Sequence, residues 1–141
     1  MRVEQISVLL RNELGVLSDI LKQFTAKKLN IMGLTINETA SFGELRLIVD
    51  NIEIAKKLLG NMAIDFNVIK ILLVELDDKP GELMNIAMML SDNDINIDYI
   101  YTLSSGMHKS YVAIKTWNMD DTELLLKEQG MTIVSIDDIK K

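Results

Sequence analysis

The sequence contains an internal repeat, and this feature limits the folds open to a chain of 141 residues. The segment Asn12–Leu17 aligns with Asp78–Leu83 at an offset of 66 residues, and the similarity continues through Asn30-Ile31 and Asn96-Ile97. Further on, Gly60 corresponds to Gly130 at an offset of 70. The repeat indicates two related domains, each so small that it can bury only a limited apolar surface.

Each half shows the same succession of periodicities. In the first half, alternating apolar residues at Ile6, Val8 and Leu10 predict a strand, and apolar residues at helical spacing predict a helix starting near Gly15. The other predicted elements of this half are strands near 31–37, 44–50 and 64–68, and a short helix capped by Asp50 or Asn51 and ended by Gly60. The order is βαββαβ.

The second half repeats this order. Its predicted strands lie near 70–76, 97–103, 110–116 and 131–136, and its helices near 81–92 and 120–129, with Asp120 or Asp121 as a cap and Gly130 as an end. We expect the boundary between residues 1–68 and 69–141. Only Asn67 interrupts the apolar pattern there, so we expect no linker but one long or kinked strand, shared or exchanged between the repeats.

Composition excludes several classes of function. The chain has no cysteine and a single histidine, His108, so disulfides, zinc–thiolate sites and thiol nucleophiles are ruled out and a metal site is not expected. The net charge of −6 argues against nucleic-acid binding. No apolar run reaches the length of a membrane span, and no secretory signal is evident. We expect a cytoplasmic protein with no cofactor and no membrane partner.

The turn between the first strand and the first helix of each half has binding chemistry. A glycine there, Gly15 or Gly81, lets the backbone approach a ligand closely, and the N–H groups of the helix start favour an anion such as a carboxylate. Asn12 adds an amide that donates and accepts, and Asp78 adds an acceptor for an ammonium group. Ordinary capping and turn formation is the alternative interpretation of these residues.

The segment Asp78–Leu83 resembles the signature of the ACT domain, an Asx-x-Pro-Gly turn followed by an aliphatic residue, and Asn96-Ile97 resembles the Asn-Ile step that follows it in that family. The first repeat has Asn30-Ile31 but carries Leu14 where the family prefers proline. The resemblance implies an α+β fold of two ferredoxin-like βαββαβ repeats, each an antiparallel sheet with helices on one face. It also implies a non-catalytic, regulatory protein that binds a free amino acid between ACT units.

Carried over residue by residue, the resemblance implies these ligand-binding residues: Asn12, Leu14, Gly15, Asn30 and Ile31 in the first repeat, and Asp78, Pro80, Gly81, Asn96 and Ile97 in the second. Asn12 would act with Asn96, and Asp78 with Asn30. A separate target enzyme would receive the signal. The alternative is a purely structural oligomerisation module without a ligand. A hydrolase of the acylphosphatase kind is disfavoured, because Arg11 is present without a glycine-rich phosphate cradle.

The sheet face without helices offers a second candidate surface. Tyr99 and Tyr101 share this face with Ile71 and Leu73, which predicts an exposed apolar patch. We expect this patch to be the interface of a homodimer, with contact to a target enzyme as the alternative. Trp117 follows the third strand of the second repeat, and we expect it to be packed.

Overall fold

The computed structural model describes residues 1–11, 14–38, 42–103 and 109–140. The elements follow one another as β1 (Val3–Arg11), α1 (Val16–Ala26), β2 (Ile31–Glu38), β3 (Phe42–Val49), α2 (Ile52–Asn61), β4 (Phe66–Asp77), α3 (Glu82–Asp92), β5 (Ile97–Leu103), β6 (Lys109–Thr116), α4 (Met119–Glu128), β7 (Thr132–Val134) and α5 (Ile136–Lys140).

These elements form two compact units. The first unit comprises Glu4–Ile69, and the second comprises Met1–Val3 together with Lys70–Lys141. The chain passes from the first to the second within β4, a single strand of 12 residues. Asn67 lies inside this strand and is not among the described residues with a left-handed backbone, so the connection is a long strand rather than a kinked one.

The first unit has the strand order β2-β3-β1-β4, which is the ferredoxin-like order. β3 pairs antiparallel with both β1 and β2, with Ile6 opposite Leu47 and Leu34 opposite Leu47 on the other side. Helices α1 and α2 cover one face of this sheet. The core on that face contains Ile6, Val8, Ile20, Phe24, Leu29, Leu45, Leu47, Val49, Ala55, Leu58 and Leu59. The two helices therefore share one core, as predicted.

The second unit repeats the arrangement with the order β5-β6-β4-β7. β6 pairs antiparallel with β4 and β5, and β7 pairs antiparallel with β4. Its core contains Leu72, Val74, Leu76, Ile86, Leu90, Ile95, Val112, Ile114 and Leu126. The predicted fold, two ferredoxin-like βαββαβ repeats with helices on one face of each sheet, is confirmed.

The second helix of each unit begins at an asparagine. The Oδ1 atom of Asn51 accepts a hydrogen bond from the N–H of Ile54 (3.3 Å), and that of Asn118 accepts one from Asp121 (3.1 Å). The predicted caps Asp120 and Asp121 of α4 are wrong, because both already lie inside the helix. The cap lies two or three residues earlier, at Asn118, whose carbonyl accepts from the N–H of Thr122.

The predicted end of the second helix is correct in the second unit only. Gly130 follows α4 in a left-handed conformation (φ 78°), as expected of a residue that ends a helix. Gly60 does not end α2, which continues through Asn61, and the left-handed residue there is Ala63 (φ 56°). The carbonyl of Leu59 accepts from the N–H of Ile64, which closes the end without a glycine.

The last predicted strand is shorter than expected, because β7 gives way to α5. The backbone N–H and hydroxyl of Ser135 donate to Oδ2 of Asp138 (2.8 and 3.1 Å), and the N–H of Asp138 donates to the Ser135 hydroxyl (3.3 Å). This reciprocal pattern is a capping box, which starts a helix.

The first residues of the chain are tied to α4. Arg2 forms salt bridges with Asp120 and Glu123. Hydrogen bonds from the amino group of Met1, from Lys127 and from Arg2 lower the pKa of Glu123 to about 2. These ion pairs hold Met1–Val3 in the second unit. Within the described part of the chain, no helix has the length and hydropathy needed to cross a membrane.

Candidate ligand-binding turns

Each unit's first helix begins at a glycine in the left-handed region. Gly15 has φ 87° before α1, and Gly81 has φ 93° before α3. Their carbonyl groups accept the first helical hydrogen bonds, from Asp19 and Asn85 respectively (both 3.0 Å). A side chain at either position would be strained, because L-residues rarely adopt this φ. The structure thus brings a sharp backbone turn and a helix start together at both predicted positions.

These glycine starts differ from the asparagine starts of α2 and α4. Gly15 and Gly81 have no side chain that could accept from the first-turn N–H groups, whereas Asn51 and Asn118 do accept from them. The N–H groups at the start of α1 and α3 therefore point outward without a partner from the N-cap residue. The helix dipole adds partial positive charge at the same place, so a carboxylate is the ligand group that fits.

The residues before the two glycines differ between the units. In the second unit, Asp78 and Pro80 are exposed, and Lys79 forms an ion pair with Glu82 (3.6 Å) across the start of α3. In the first unit, Leu14 is fully exposed. Asn12, the predicted partner of the ligand at this turn, lies outside the described residues.

The predicted asparagines lie at the starts of the two edge strands. Asn30 and Asn96 are exposed, and Ile31 and Ile97 beside them pack partly buried against their cores. In the first unit, the backbone N–H of Asn30 donates to Oδ1 of Asp50 (3.0 Å), and its carbonyl accepts from the N–H of Asp50 (3.1 Å). The isoleucines thus anchor the strands, while the asparagine side chains remain accessible to a ligand.

Within one unit, the glycine turn and the asparagine lie at opposite ends of the sheet. In the first unit, Arg11 at the turn end pairs with Phe42, whereas Ile31 at the other end pairs with Val49. Seven residues of β3 separate these positions, which is about 23 Å at about 3.3 Å per residue. The second unit has the same layout, with Lys109 and Thr116 at the two ends of β6. A free amino acid is much shorter than this, so no single unit can supply both groups to one ligand.

The predicted exposed patch is wrong for two of its four residues. Ile71 and Leu73 are both 0 % exposed, and Leu72 and Val74 between and beside them are buried as well. Both faces of β4 are therefore covered along this stretch, because neighbouring residues of a strand point to opposite faces. A continuous apolar run is typical of such a strand, and Ile71–Val74 is one. Tyr99 and Tyr101 are half-buried, and their rings stack with centroids 6.3 Å apart.

Two side chains near the asparagines were not predicted to be part of the candidate site. Asp50 orients Asn30 through the hydrogen bond described above. Trp117, which we expected to be packed, is 78 % exposed. Trp117 follows Thr116, the cross-strand partner of Ile97, and Asn96 precedes Ile97, so both residues lie one position beyond the last pair of β5 and β6. His108 lies outside the described residues. Across residues 1–11, 14–38, 42–103 and 109–140, no cluster of three or more acidic, histidine or cysteine side chains could hold a metal ion.

Comparison with known proteins places these features in a family. Residues 1–141 match the model of the ACT domain pair. The crystal structure of protein BT0572 from Bacteroides thetaiotaomicron is similar along 100 % of this chain and 97 % of its own, with 28 % sequence identity and a TM-score of 0.89. No curated protein matches the sequence significantly.

More distant structures share the fold. The ligand-free regulatory subunit of aspartate kinase from Thermus thermophilus has 13 % identity and a TM-score of 0.61, covering 89 % of this chain and 91 % of its own. The corresponding subunit from Thermus flavus has 13 % identity and a TM-score of 0.57, covering 88 % of each chain. At these identities the similarity concerns the fold.

Proposed function

Because the chain belongs to the ACT domain pair family, a regulatory and amino-acid-binding family, we propose that it binds a free amino acid and signals this to another protein. The observation that carries the proposal is the pair of glycine starts at α1 and α3. Both match the positions of the family turn, and both leave first-turn N–H groups without a cap from the N-cap residue.

The ligand is held by groups from two ACT units. Its carboxylate accepts from the N–H groups at a glycine turn, and its ammonium and carboxylate are contacted by the amide of an Asn-Ile step. Since the turn and the asparagine of one unit lie about 23 Å apart, the asparagine comes from a second ACT unit, of the same chain or of another copy. We keep the pairing of Asn12 with Asn96 and of Asp78 with Asn30 as part of the proposal.

Regulation follows from linkage rather than catalysis. A ligand that contacts two units favours the arrangement of units in which both contacts are made, and a protein that recognises this arrangement senses the ligand. The proposal includes a homodimer, a cytoplasmic location and a target protein encoded as a separate chain.

Thermal stability in the presence of amino acids tests the proposal. The purified protein is heated with each of the twenty amino acids, and binding is then measured by calorimetry for those that raise the midpoint. A ligand at 100 times its dissociation constant adds about 2.7 kcal/mol to the free energy of unfolding. We expect one chemical class of amino acid to raise the midpoint, and Asn96→Ala and Asn12→Ala to weaken its binding at least tenfold.

The matched control is Asn67→Ala, which removes an exposed amide at the second residue of β4 and outside the proposed ligand-binding residues. It should leave binding unchanged. If Asn12 and Asn96 contact one ligand, the double variant should lose less than the sum of the single losses. If no amino acid raises the midpoint or binds in the calorimeter, the proposal fails and a purely structural oligomerisation module is the better description.

A further inference from the structure

Trp117 is unusually exposed for its size. Among the large apolar side chains of the described residues, only Leu14 is more exposed than Trp117, which is 78 % accessible. An indole ring offers a large apolar surface and one N–H donor, and proteins usually bury most of it. An indole left accessible at a defined position is a surface that a ligand can cover.

The position of Trp117 is fixed by its neighbours in the chain. On one side, the backbone N–H of Thr116 donates to the sulfur of Met119 (3.3 Å), and the Thr116 hydroxyl is hydrogen-bonded to that of Thr122 (2.6 Å). On the other side, Asn118 caps α4. The indole is therefore carried by a held segment of backbone, and little ordering is needed when it contacts a ligand.

The end of two paired strands places Trp117 near the asparagine of the proposed site. Ile97 and Thr116 are a cross-strand pair, which closes the ladder between β5 and β6 at this end. Asn96 precedes Ile97 and Trp117 follows Thr116, so each lies one residue beyond this pair. A ligand whose backbone groups are held by the Asn96 amide thus has its side chain within reach of the indole.

The charged residues Lys115 of β6 and Asp98 of β5 neutralise each other at this strand end. The ammonium group of Lys115 pairs with Asp98 (3.3 Å) and also donates to the carbonyl of Thr116 (2.7 Å). A charged ligand side chain would find no unpaired countercharge in this pair. The exposed indole offers a large apolar surface here, and it favours an aromatic or large apolar side chain.

The first unit lacks this feature at the equivalent place. Asp50 precedes the cap Asn51 as Trp117 precedes the cap Asn118, and the Asp50 carboxylate accepts from the backbone N–H of Asn30. Both units fold in the same way, so the fold does not require an aromatic residue here. The difference makes the two asparagine sites chemically distinct.

We propose that Trp117 is a specificity-determining residue, which selects an amino acid with an aromatic or large apolar side chain at the site containing Asn96. This inference rests on the proposed function, since it concerns the ligand of the same site. The side chain of the ligand packs against the face of the indole, while its backbone groups bind as described above.

Trp117 is the only tryptophan of the sequence, so its fluorescence reports on this site directly. Phenylalanine, leucine and methionine are titrated with excitation selective for tryptophan, beside glycine, serine, aspartate and lysine. We expect the large apolar ligands to change the emission of Trp117 saturably, with the dissociation constant that calorimetry gives. Trp117→Ser should weaken their binding at least tenfold and alter that of glycine and serine less than twofold, whereas Trp117→Phe should retain the preference.

Leu124→Ser is the matched control, because it removes another exposed apolar side chain (57 % accessible) on the adjacent helix α4. It should leave the preference unchanged. Calorimetric binding without a change in Trp117 emission, and with the preference intact in Trp117→Ser, would overturn this inference and leave the proposed function standing. Absence of binding by any amino acid would overturn both. Emission that responds to dilution of the protein and not to amino acids would place the indole in a contact between copies and overturn the inference as well.

Discussion

The helices of the two units begin in the same way, but the buried residues on one sheet face are polar in one unit and apolar in the other. Both start their first helix at a left-handed glycine and their second helix at a capping asparagine. On the face without helices, however, the first unit buries Gln5, Ser7 and Arg46, where the second buries Ile71, Leu73 and Ala113. Because both units have the same fold, we infer that the shared glycine and asparagine helix starts are required by the fold. The polarity of the face without helices is not required by it.

The polar residues of the first unit are tolerated on a buried face because they have partners. The amide of Gln5 donates to the hydroxyl of Ser7 (3.1 Å), and the guanidinium of Arg46 pairs with Glu44 (3.2 Å). Buried polar groups cost little when they are hydrogen-bonded, so this face can be polar in one copy and apolar in the other. Trp117 is another position at which the two units differ, since the first unit has Asp50 there.

The largest effect is expected at the buried face itself. Leu73→Ala should lower the free energy of unfolding by about 2–5 kcal/mol, because it leaves a cavity at a fully buried position. Urea denaturation measures this. Leu9→Ala is the matched control, an exposed leucine (55 % accessible) at the end of β1, and should cost less than about 1 kcal/mol. Equal and small effects of both would mean that the face around Leu73 is open.

A smaller effect is expected at the glycine turns, and it should be the same in both units. Gly81→Ala and Gly15→Ala should each cost about 1–2 kcal/mol, because a Cβ disfavours the left-handed backbone although it meets no close atom. Gly60→Ala, inside α2 with open space around it, should instead stabilise the protein by about 0.4–1 kcal/mol. A destabilising Gly60→Ala would show that mere addition of a methyl group, and not the backbone conformation, explains the loss at the turns.

The smallest effect is expected at the asparagine caps. Asn118→Ala and Asn51→Ala should each cost about 1 kcal/mol, since the N–H groups of Asp121 and Ile54 lose their acceptors. Asn118→Ser keeps an acceptor and should recover most of the loss, again by urea denaturation.

Much of the fold was predictable because the internal repeat presents the same order of periodicities in both halves of the sequence. The helices and strands follow apolar periodicity closely, and Gly15, Gly81 and Asn51 were identified from turn and cap chemistry. Apolar periodicity predicts a strand over 131–136 and does not predict α5, whose start is marked by Ser135 and Asp138 at capping-box spacing. Alternation along β4 predicts one exposed face, whereas the continuous apolar run Ile71–Val74 is typical of a strand buried on both faces.

The candidate site was predictable only in part. Periodicity and turn chemistry locate the glycine turns and the asparagines, but they do not show that these lie at opposite ends of each sheet. That follows from strand register, with Arg11 opposite Phe42 and Ile31 opposite Val49. The exposure of Trp117 depends on what covers the end of β6, and a local pattern in the sequence does not contain this information.

The salt bridges of Arg2 have a consequence for the order in which the molecule is assembled. Arg2 contacts Glu123, 121 residues further along, so in the sequence the whole first unit stands between two segments of the second. During synthesis, Arg2 leaves the ribosome long before α4 has been made, so its salt bridges with α4 form only late. The first unit can complete its own sheet only when the early residues of β4 have been made, and the second unit closes last, around residues synthesised at both the beginning and the end.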